Sequence, residues 1–119
     1  MKREFLDYVE DIVNAMGSAS TFIEGMTFGQ FQQDEKTAFA AIRALEVIGE
    51  AVKKVPGSVR DRYPEIPWKD MAGMRDKLIH EYFGVNLRTL WDTIKKEIPK
   101  LKPQFERILR DHESSQPGR

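Results

Sequence analysis

An arginine, a histidine and a tyrosine lie within eight residues of one another in the second half of the chain. Arg75, His80 and Tyr82 belong to the run Arg-Asp-Lys-Leu-Ile-His-Glu-Tyr, in which Asp76 directly follows the arginine. A guanidinium binds phosphate through a planar fork of donors, and an imidazole gives or takes a proton near neutral pH. A cation and a proton carrier suffice to cleave RNA without a metal ion, because the 2′-hydroxyl of RNA can attack its own phosphate.

Roles for the four residues in such a reaction can be assigned as expectations. Arg75 would bind the scissile phosphate and stabilise the charge that develops on its oxygens. His80 would act as general base on the 2′-hydroxyl or as general acid on the leaving oxygen. Asp76, four residues before the histidine, would orient the imidazole ring. Tyr82 would hydrogen-bond a phosphate or pack under a base.

The same residues also have a structural interpretation. Arg75 would then pair with a carboxylate inside a helical bundle, such as Glu46, and His80 would cap the end of its helix. An arginine five residues before a histidine is common by chance. The spacing alone therefore favours the structural interpretation, and the chemical one needs further support.

Arg75 and His80 do not share a face of one straight helix, since positions five apart diverge by roughly 140°. Either the helix unwinds near Gly84, so that His80 swings round, or two copies pack this helix across a two-fold axis. The second arrangement gives a cleft lined by two arginines and two histidines. We therefore favour a homodimer with a shared site.

The composition restricts the class of protein without identifying it. The 119 residues suffice for one domain, and 40% hydrophobic with 32% charged residues is typical of a globular protein. The absence of cysteine excludes disulfides and thiolate metal sites. No apolar run approaches the roughly 20 residues of a membrane helix, and no signal peptide precedes the first amphipathic segment. We expect a cytoplasmic protein with no membrane contact.

No motif in the sequence predicts a metal ion or a cofactor. Glu46 and Glu50 lie four apart, but a di-metal site in a helical bundle needs Glu-x-x-His pairs, which are missing. A phosphate-binding glycine loop, an HExxH motif and a serine nucleophile elbow are missing as well. We therefore expect neither a metal nor a cofactor.

The charges balance overall but are unevenly distributed. Residues 1–50 carry a net charge of −5, residues 51–83 carry +2, and residues 84–119 carry +3. The basic excess lies around and after the arginine–histidine motif, where it would steer an anionic substrate. The charges alone favour the plainer alternative, in which the last helix exposes a solvated basic face.

Apolar residues recur at intervals of three and four along most of the chain, which predicts amphipathic helices. The predicted helices are one from Phe5 that ends at Gly25, one from a cap at Asp34 to Pro56-Gly57, one from near Trp68 to about Tyr82, and one capped by Asn86. The fold class is therefore all-α, an antiparallel four-helix bundle.

Details within this pattern are predicted as well. Phe28 and Phe31 should be buried in a short turn or half-helix between the first two helices, and Trp68 should anchor the third helix in the core. Pro99 should kink or split the C-terminal helix, because proline lacks a backbone donor. The bundle should occupy residues 1–112 and a flexible tail residues 113–119, with His112 at the start of the polar end.

The motif and five further segments resemble the HepT family of HEPN-domain proteins. The family signature is an arginine, a polar residue, a short spacer and a histidine, matched by Arg75, Asp76 and His80 and extended by Tyr82 to the His-x-Tyr form. The further segments are Tyr-Val-Glu-Asp-Ile at 8–12, Ile-Gly-Glu-Ala at 48–51, Pro-Glu-Ile-Pro-Trp at 64–68, Gly-Val-Asn at 84–86 and Trp-Asp-Thr-Ile at 91–94. The resemblance covers about residues 1–105. The family often has asparagine after the arginine, and aspartate here keeps the polar role.

This resemblance implies a dimeric, all-helical, metal-independent ribonuclease that acts as the toxin of a toxin–antitoxin pair, with Arg75 and His80 as its nuclease residues. It implies as partner an MntA-like minimal nucleotidyltransferase antitoxin, which silences the toxin by transferring AMP to Tyr82. The added bulk and negative charge would stand where an RNA phosphate must bind, two residues from His80.

The competing function is that of a non-catalytic binding module. HEPN bundles also serve as nucleotide- or partner-binding subunits of nucleotidyltransferases. Arg75 and Tyr82 would then hold the partner or its nucleotide, and His80 would be structural. The complete motif favours the nuclease.

Overall fold

A computed structural model describes residues 3–80 and 86–113 of the chain, except for the side chains of residues 75 and 77–80. The regular elements within these residues are all helical and surround one apolar core. In chain order they are α1 (Phe5–Ile23), α2 (Phe28–Gln32), α3 (Glu35–Lys53), α4 (Gly57–Arg60), α5 (Trp68–His80), α6 (Leu87–Asp92), a π-helical segment (Thr93–Glu97) and α7 (Ile98–Glu113). In this part of the chain, no helix is both long enough and apolar enough to cross a membrane.

The predicted helical bundle is confirmed. Its main helices are α1, α3, α5 and a last one assembled from α6, the π-helical segment and α7. α1 and α7 run antiparallel, because Phe5 packs edge-on against His112 and Gly17 lies beside Lys102. The predicted stripes of α1 and α3 face the core, with these residues buried: Val9, Ile12, Met16, Ala19, Ile23, Ala38, Ile42, Leu45, Gly49 and Val52.

Local hydrogen bonds set the turns on either side of α2. Gly25 has a φ of 78°, in the left-handed region that favours glycine, and it follows the end of α1. Thr27 and Gln30 form a reciprocal capping box at the start of α2, with bonds of 2.9 and 3.1 Å. Asp34 caps α3 as predicted, and the hydrogen bonds that its carboxylate accepts from Thr37 lower the pKa of that carboxyl.

The C-terminal helix is split before Pro99 rather than at it. A regular α-helix would bring the Pro99 ring against the Lys95 carbonyl, and proline has no N–H for that carbonyl to accept. The chain widens instead into the π-helical turn Thr93–Glu97, where the Ile98 N–H donates to the Thr93 carbonyl. α7 then starts one residue before Pro99, where a missing N–H costs little.

Two predictions need correction. His112 does not lie in a polar tail, because α7 extends to Glu113 and the imidazole is half-buried against Phe5, with Nδ1 2.9 Å from the Ile108 carbonyl oxygen. Phe31 is fully buried as expected, whereas Phe28 is only half-buried. The predicted tail beyond Glu113 lies outside the described residues.

The segment between α3 and α5 is held down by buried side chains, and its most specific contact is made by Tyr63. The phenol ring is buried, and its hydroxyl donates a 2.8 Å hydrogen bond to the Asp111 carboxylate on α7. Burial and this hydrogen bond raise the pKa of the Tyr63 hydroxyl. The phenol therefore stays protonated and ties the segment to the end of α7.

Replacing Tyr63 with phenylalanine should lower the free energy of unfolding by about 1 kcal/mol, because Asp111 loses a hydroxyl donor. Chemical denaturation at one fixed protein concentration measures the change. Tyr8→Phe is the matched control, since Tyr8 is half-buried on α1 and keeps its contact with Arg3, which lies 4.4 Å over the ring. The control should stay within about 0.5 kcal/mol of the parent. Equal losses in the two variants would contradict the assignment of the effect to the bond with Asp111.

Candidate functional site

Three of the four motif residues lie on α5. Its backbone is α-helical over Trp68–His80, so Arg75, Asp76 and His80 share one continuous helix. The prediction that this helix reaches about Tyr82 falls on residues outside the description, as do the side chains of Arg75 and His80. The backbone of α5 therefore gives the positions of Arg75, Asp76 and His80 along the helix.

The α5 backbone brings some motif positions together and separates others. Asp76 and His80 are one turn apart, which places the two positions on the same face. Arg75 and His80 are five positions apart and diverge by roughly 140° around the helix axis. The helix stays regular through His80, so within one copy the arginine and histidine positions face different directions.

The start of α5 is fixed by Trp68, as the sequence predicted. The indole is buried, and its Nε1–H donates to the Tyr63 carbonyl at 3.0 Å. The ring also packs edge-on against Phe105 of α7, with the centroids 5.4 Å apart. The first turn closes when the Met71 N–H donates to the Pro67 carbonyl. These contacts determine where the helix begins and so where the motif follows.

Asp76 makes an ion pair that connects two helices. Its carboxylate accepts a 2.8 Å hydrogen bond from the ammonium group of Lys53, the last residue of α3. Both side chains are partly exposed, at 49% for Asp76 and 36% for Lys53. Sequence analysis missed Lys53 because the partners are 23 residues apart on different helices, and no local spacing signals such a pair. The predicted role of Asp76 in orienting His80 stays a prediction.

An apolar cavity of about 220 Å³ lies between α3, α5 and the π-helical segment. Met71 and Met74 of α5 line it opposite Leu45 and Ile48 of α3. Both methionines precede the motif in the sequence, and Asp76 does not belong to the described lining. Methionine side chains are flexible and suit the lining of such an irregular space.

Among the side chains that the structure describes, no group of three His, Asp or Glu residues is arranged to hold a metal ion. Glu46 and Glu50, the carboxylates considered from the sequence, lie one turn apart on α3. Glu46 is half-buried and Glu50 is exposed.

Cations that follow the motif in the chain are positioned by aromatic rings. Asn86 caps α6 and accepts hydrogen bonds from the N–H groups of residues 88 and 89. The Arg88 guanidinium lies 4.8 Å from the centre of the Phe28 ring, and the Lys95 ammonium lies 5.1 Å from that of Trp91. Sequence analysis noted only the basic excess of this segment. The spacing of Trp91 and Lys95, four residues apart on one helix, was a signal for their contact, whereas the contact of Arg88 with Phe28 needs the fold.

Comparisons with known proteins identify the family to which the chain is similar. A family model described as "Ribonuclease HepT-like" matches residues 6–108. A protein of Thermococcus cleftensis named "Probable ribonuclease HepT" is 53% identical over 108 residues, which is 91% of this chain and 98% of the relative.

Two further relatives carry the name "Putative RNase". One, from Methanocaldococcus jannaschii, is 48% identical over 94% of this chain and 97% of its own length. The other, from Caldanaerobacter subterraneus subsp. tengcongensis, is 48% identical over 86% of this chain and 91% of its own length. No solved structure gives a significant match. With a family model spanning most of the sequence and relatives matched over nearly their whole lengths, this chain belongs to the HepT-like ribonuclease family.

Proposed function

We propose that this chain is a metal-independent endoribonuclease and the toxin of a toxin–antitoxin pair. The observation that carries the proposal is the complete Arg75–Asp76–His80–Tyr82 motif in a chain that matches the ribonuclease family over residues 6–108. The names of the relatives support RNA as the substrate. The helical backbone of α5 supports the placement of three motif residues on one element.

The reaction uses only groups that the chain supplies. A His80 imidazole removes the proton from the 2′-hydroxyl, and the resulting oxygen attacks the adjacent phosphorus. The bond between phosphorus and the 5′-oxygen breaks, and that oxygen takes a proton from an imidazolium. The products are a 2′,3′-cyclic phosphate and a 5′-hydroxyl. Arg75 binds the phosphate and stabilises the charge that builds on its non-bridging oxygens.

A homodimer completes the site in this proposal. One copy presents Arg75 and His80 on different faces of α5, because the helix is regular through His80. Two copies related by a two-fold axis supply two arginines and two histidines to one cleft. One histidine can then act as base while its counterpart acts as acid.

Silencing is assigned to Tyr82. An MntA-like nucleotidyltransferase antitoxin transfers AMP from ATP to the phenol, forming an oxygen–phosphorus bond and releasing pyrophosphate. The attached nucleotide brings negative charge and bulk to a position two residues after His80. RNA phosphate is then repelled from the cleft.

The nuclease assignment predicts that His80→Ala abolishes RNA cleavage while the protein stays folded. Loss of a general acid–base group typically lowers the rate by about 10²- to 10⁴-fold. The measurement is cleavage of total RNA by unmodified protein in EDTA, with the intact mass checked for added AMP. His112→Ala is the control, because His112 is the other histidine of the chain and packs against Phe5.

The control variant should cleave RNA as fast as the parent at a temperature where both are folded. A His80→Ala protein that cleaves at the parental rate would refute the mechanism. A parent of unmodified mass that forms a dimer but does not cleave would favour the non-catalytic binding module.

Silencing makes a separate prediction about Tyr82. Incubation with an MntA-like nucleotidyltransferase and ATP should add the mass of AMP and stop RNA cleavage. Tyr82→Phe should gain no mass and should keep cleaving after the same incubation, since it lacks the acceptor oxygen. Tyr8→Phe, a change of the same kind on α1, should be modified and silenced like the parent. Modification of Tyr82→Phe would show that AMP is attached elsewhere.

The ion pair between Lys53 and Asp76 predicts non-additive effects on catalysis. Lys53→Met and Asp76→Asn should each lower kcat/KM about three- to fivefold, because a partly exposed pair contributes modestly. The double variant should have a kcat/KM no lower than that of the less active single variant, because either change alone removes the ion pair. Lys54→Met, an exposed lysine next in the chain, is the control and should leave kcat/KM unchanged. Fully additive losses would mean that the two residues act independently.

A further inference from the structure

The segment after the motif is a basic part of the described chain. Residues 86–102 hold five basic and two acidic side chains, a net charge of +3. Residues 3–53 carry a net charge of −5, and residues 103–113 carry −1. Within the C-terminal helix the positive charge is therefore concentrated in α6, the π-helical segment and the first turn of α7, and it does not extend along all of α7.

Three cations of this segment, Arg88, Lys95 and Lys96, form a continuous group that we call the basic ridge. Arg88 lies over Phe28, Phe28 packs edge-on against Trp91 at 5.9 Å, and Lys95 lies over Trp91. The aromatic rings thus connect the first two cations. All three side chains are exposed, and the rings contact the charged groups of Arg88 and Lys95.

Asp92 connects the third cation to the ridge without cancelling its charge. Its carboxylate lies 3.5 Å from the Arg88 guanidinium and 3.9 Å from the Lys96 ammonium. Such long, exposed pairs are weak and easily exchanged for another anion. One carboxylate shared by two cations leaves the ridge with a net charge of +2.

The ridge begins close to the motif along the chain. α5 ends at His80 and Arg88 follows eight residues later. Eight residues span at most about 28 Å when fully extended. That distance corresponds to roughly eight stacked nucleotides of one strand at about 3.4 Å each. A short RNA strand can therefore contact both places.

We propose that the basic ridge binds the phosphate backbone of single-stranded RNA and holds the strand whose scissile phosphate enters the motif. This inference rests on the proposed ribonuclease function and adds a second contact region for its substrate. Arg88 and Lys95 are held against rings before RNA arrives, so binding orders these two cations at little further entropic cost. Contacts to phosphate carry no base preference, which suits a strand-holding role.

The test measures binding of a 2′-O-methyl RNA oligonucleotide, which lacks the attacking hydroxyl and cannot be cleaved by the proposed mechanism. Fluorescence anisotropy gives Kd for the full chain at several salt concentrations. The ridge variant Arg88→Gln/Lys95→Gln/Lys96→Gln should raise Kd about tenfold or more, because three phosphate contacts are lost. The slope of log Kd against log salt should fall by about 2, at about 0.7 per phosphate for a single strand.

A charge-matched control separates the ridge from the net charge. Lys69→Gln/Arg107→Gln/Arg110→Gln also removes three exposed cations, and Arg107 likewise lies over an aromatic ring, that of Tyr63, at 5.7 Å. This control should change Kd by less than about twofold. Arg88→Lys/Lys95→Arg/Lys96→Arg keeps the charges and should bind like the parent. If the ridge variant unfolds, Lys95→Gln/Lys96→Gln replaces it, with Kd expected to rise about threefold to fivefold.

The outcomes distinguish this inference from the proposed function. The ridge proposal is refuted if the ridge variant and its charge-matched control lose affinity equally, or if neither of them loses affinity. Cleavage of RNA at the parental rate by the same protein samples would then leave the nuclease proposal intact. Ridge-dependent binding without any cleavage by the parent supports the ridge and refutes the nuclease. A parent that neither binds nor cleaves RNA refutes both. If the ridge variant loses binding to the nucleotidyltransferase but binds RNA like the parent, the ridge is a surface for the protein partner and the proposal is refuted.

Discussion

Trp68 stands at the first residue of α5, where its ring packs edge-on against Phe105 of α7. Its indole N–H donates to the Tyr63 carbonyl, and the Tyr63 hydroxyl donates to Asp111 near the end of α7. Both ends of this connection are therefore attached to the same helix. The motif follows on one rigid element, and from Trp68 to His80 a helix rises only about 18 Å. The position of the site thus depends on how firmly this aromatic contact fixes the start of α5.

The contacts that hold α5 differ in strength along its length. The first turn is held by buried aromatic rings and a buried indole hydrogen bond, whereas Asp76 is held by a partly exposed ion pair with Lys53. A buried contact of that kind contributes more than an exposed ion pair, whose typical value is below about 1 kcal/mol. The firm anchor of α5 therefore lies at the end away from the motif. The carboxylate of Asp76 is partly exposed at the surface, where a polymeric substrate has access.

The helical periodicity of the sequence predicts the bundle well, because each main helix repeats one apolar stripe and ends at a recognisable cap. Asp34 and Asn86 were identified as caps from their residue type, and both accept the expected hydrogen bonds. The exact position of the split before Pro99 could not be predicted from the sequence. Sequence rules give the steric conflict of a proline with the carbonyl four residues earlier, but not whether a kink or a π-helical turn relieves it.

Contacts between residues that are far apart in the sequence cannot be predicted from local spacing, and the two histidines show what this means for the site. Both are rare polar residues near a predicted helix end, yet His112 packs against Phe5 and lies 2.9 Å from the Ile108 carbonyl, which gives it a structural place. A histidine fixed in this way is poorly placed to meet a substrate. Residue type alone therefore does not tell a catalytic histidine from a structural one. The proposal for His80 depends on the other residues of its motif. Spacing alone does not make that distinction either, and the support for the nuclease proposal comes from the match of the chain to the ribonuclease family over residues 6–108.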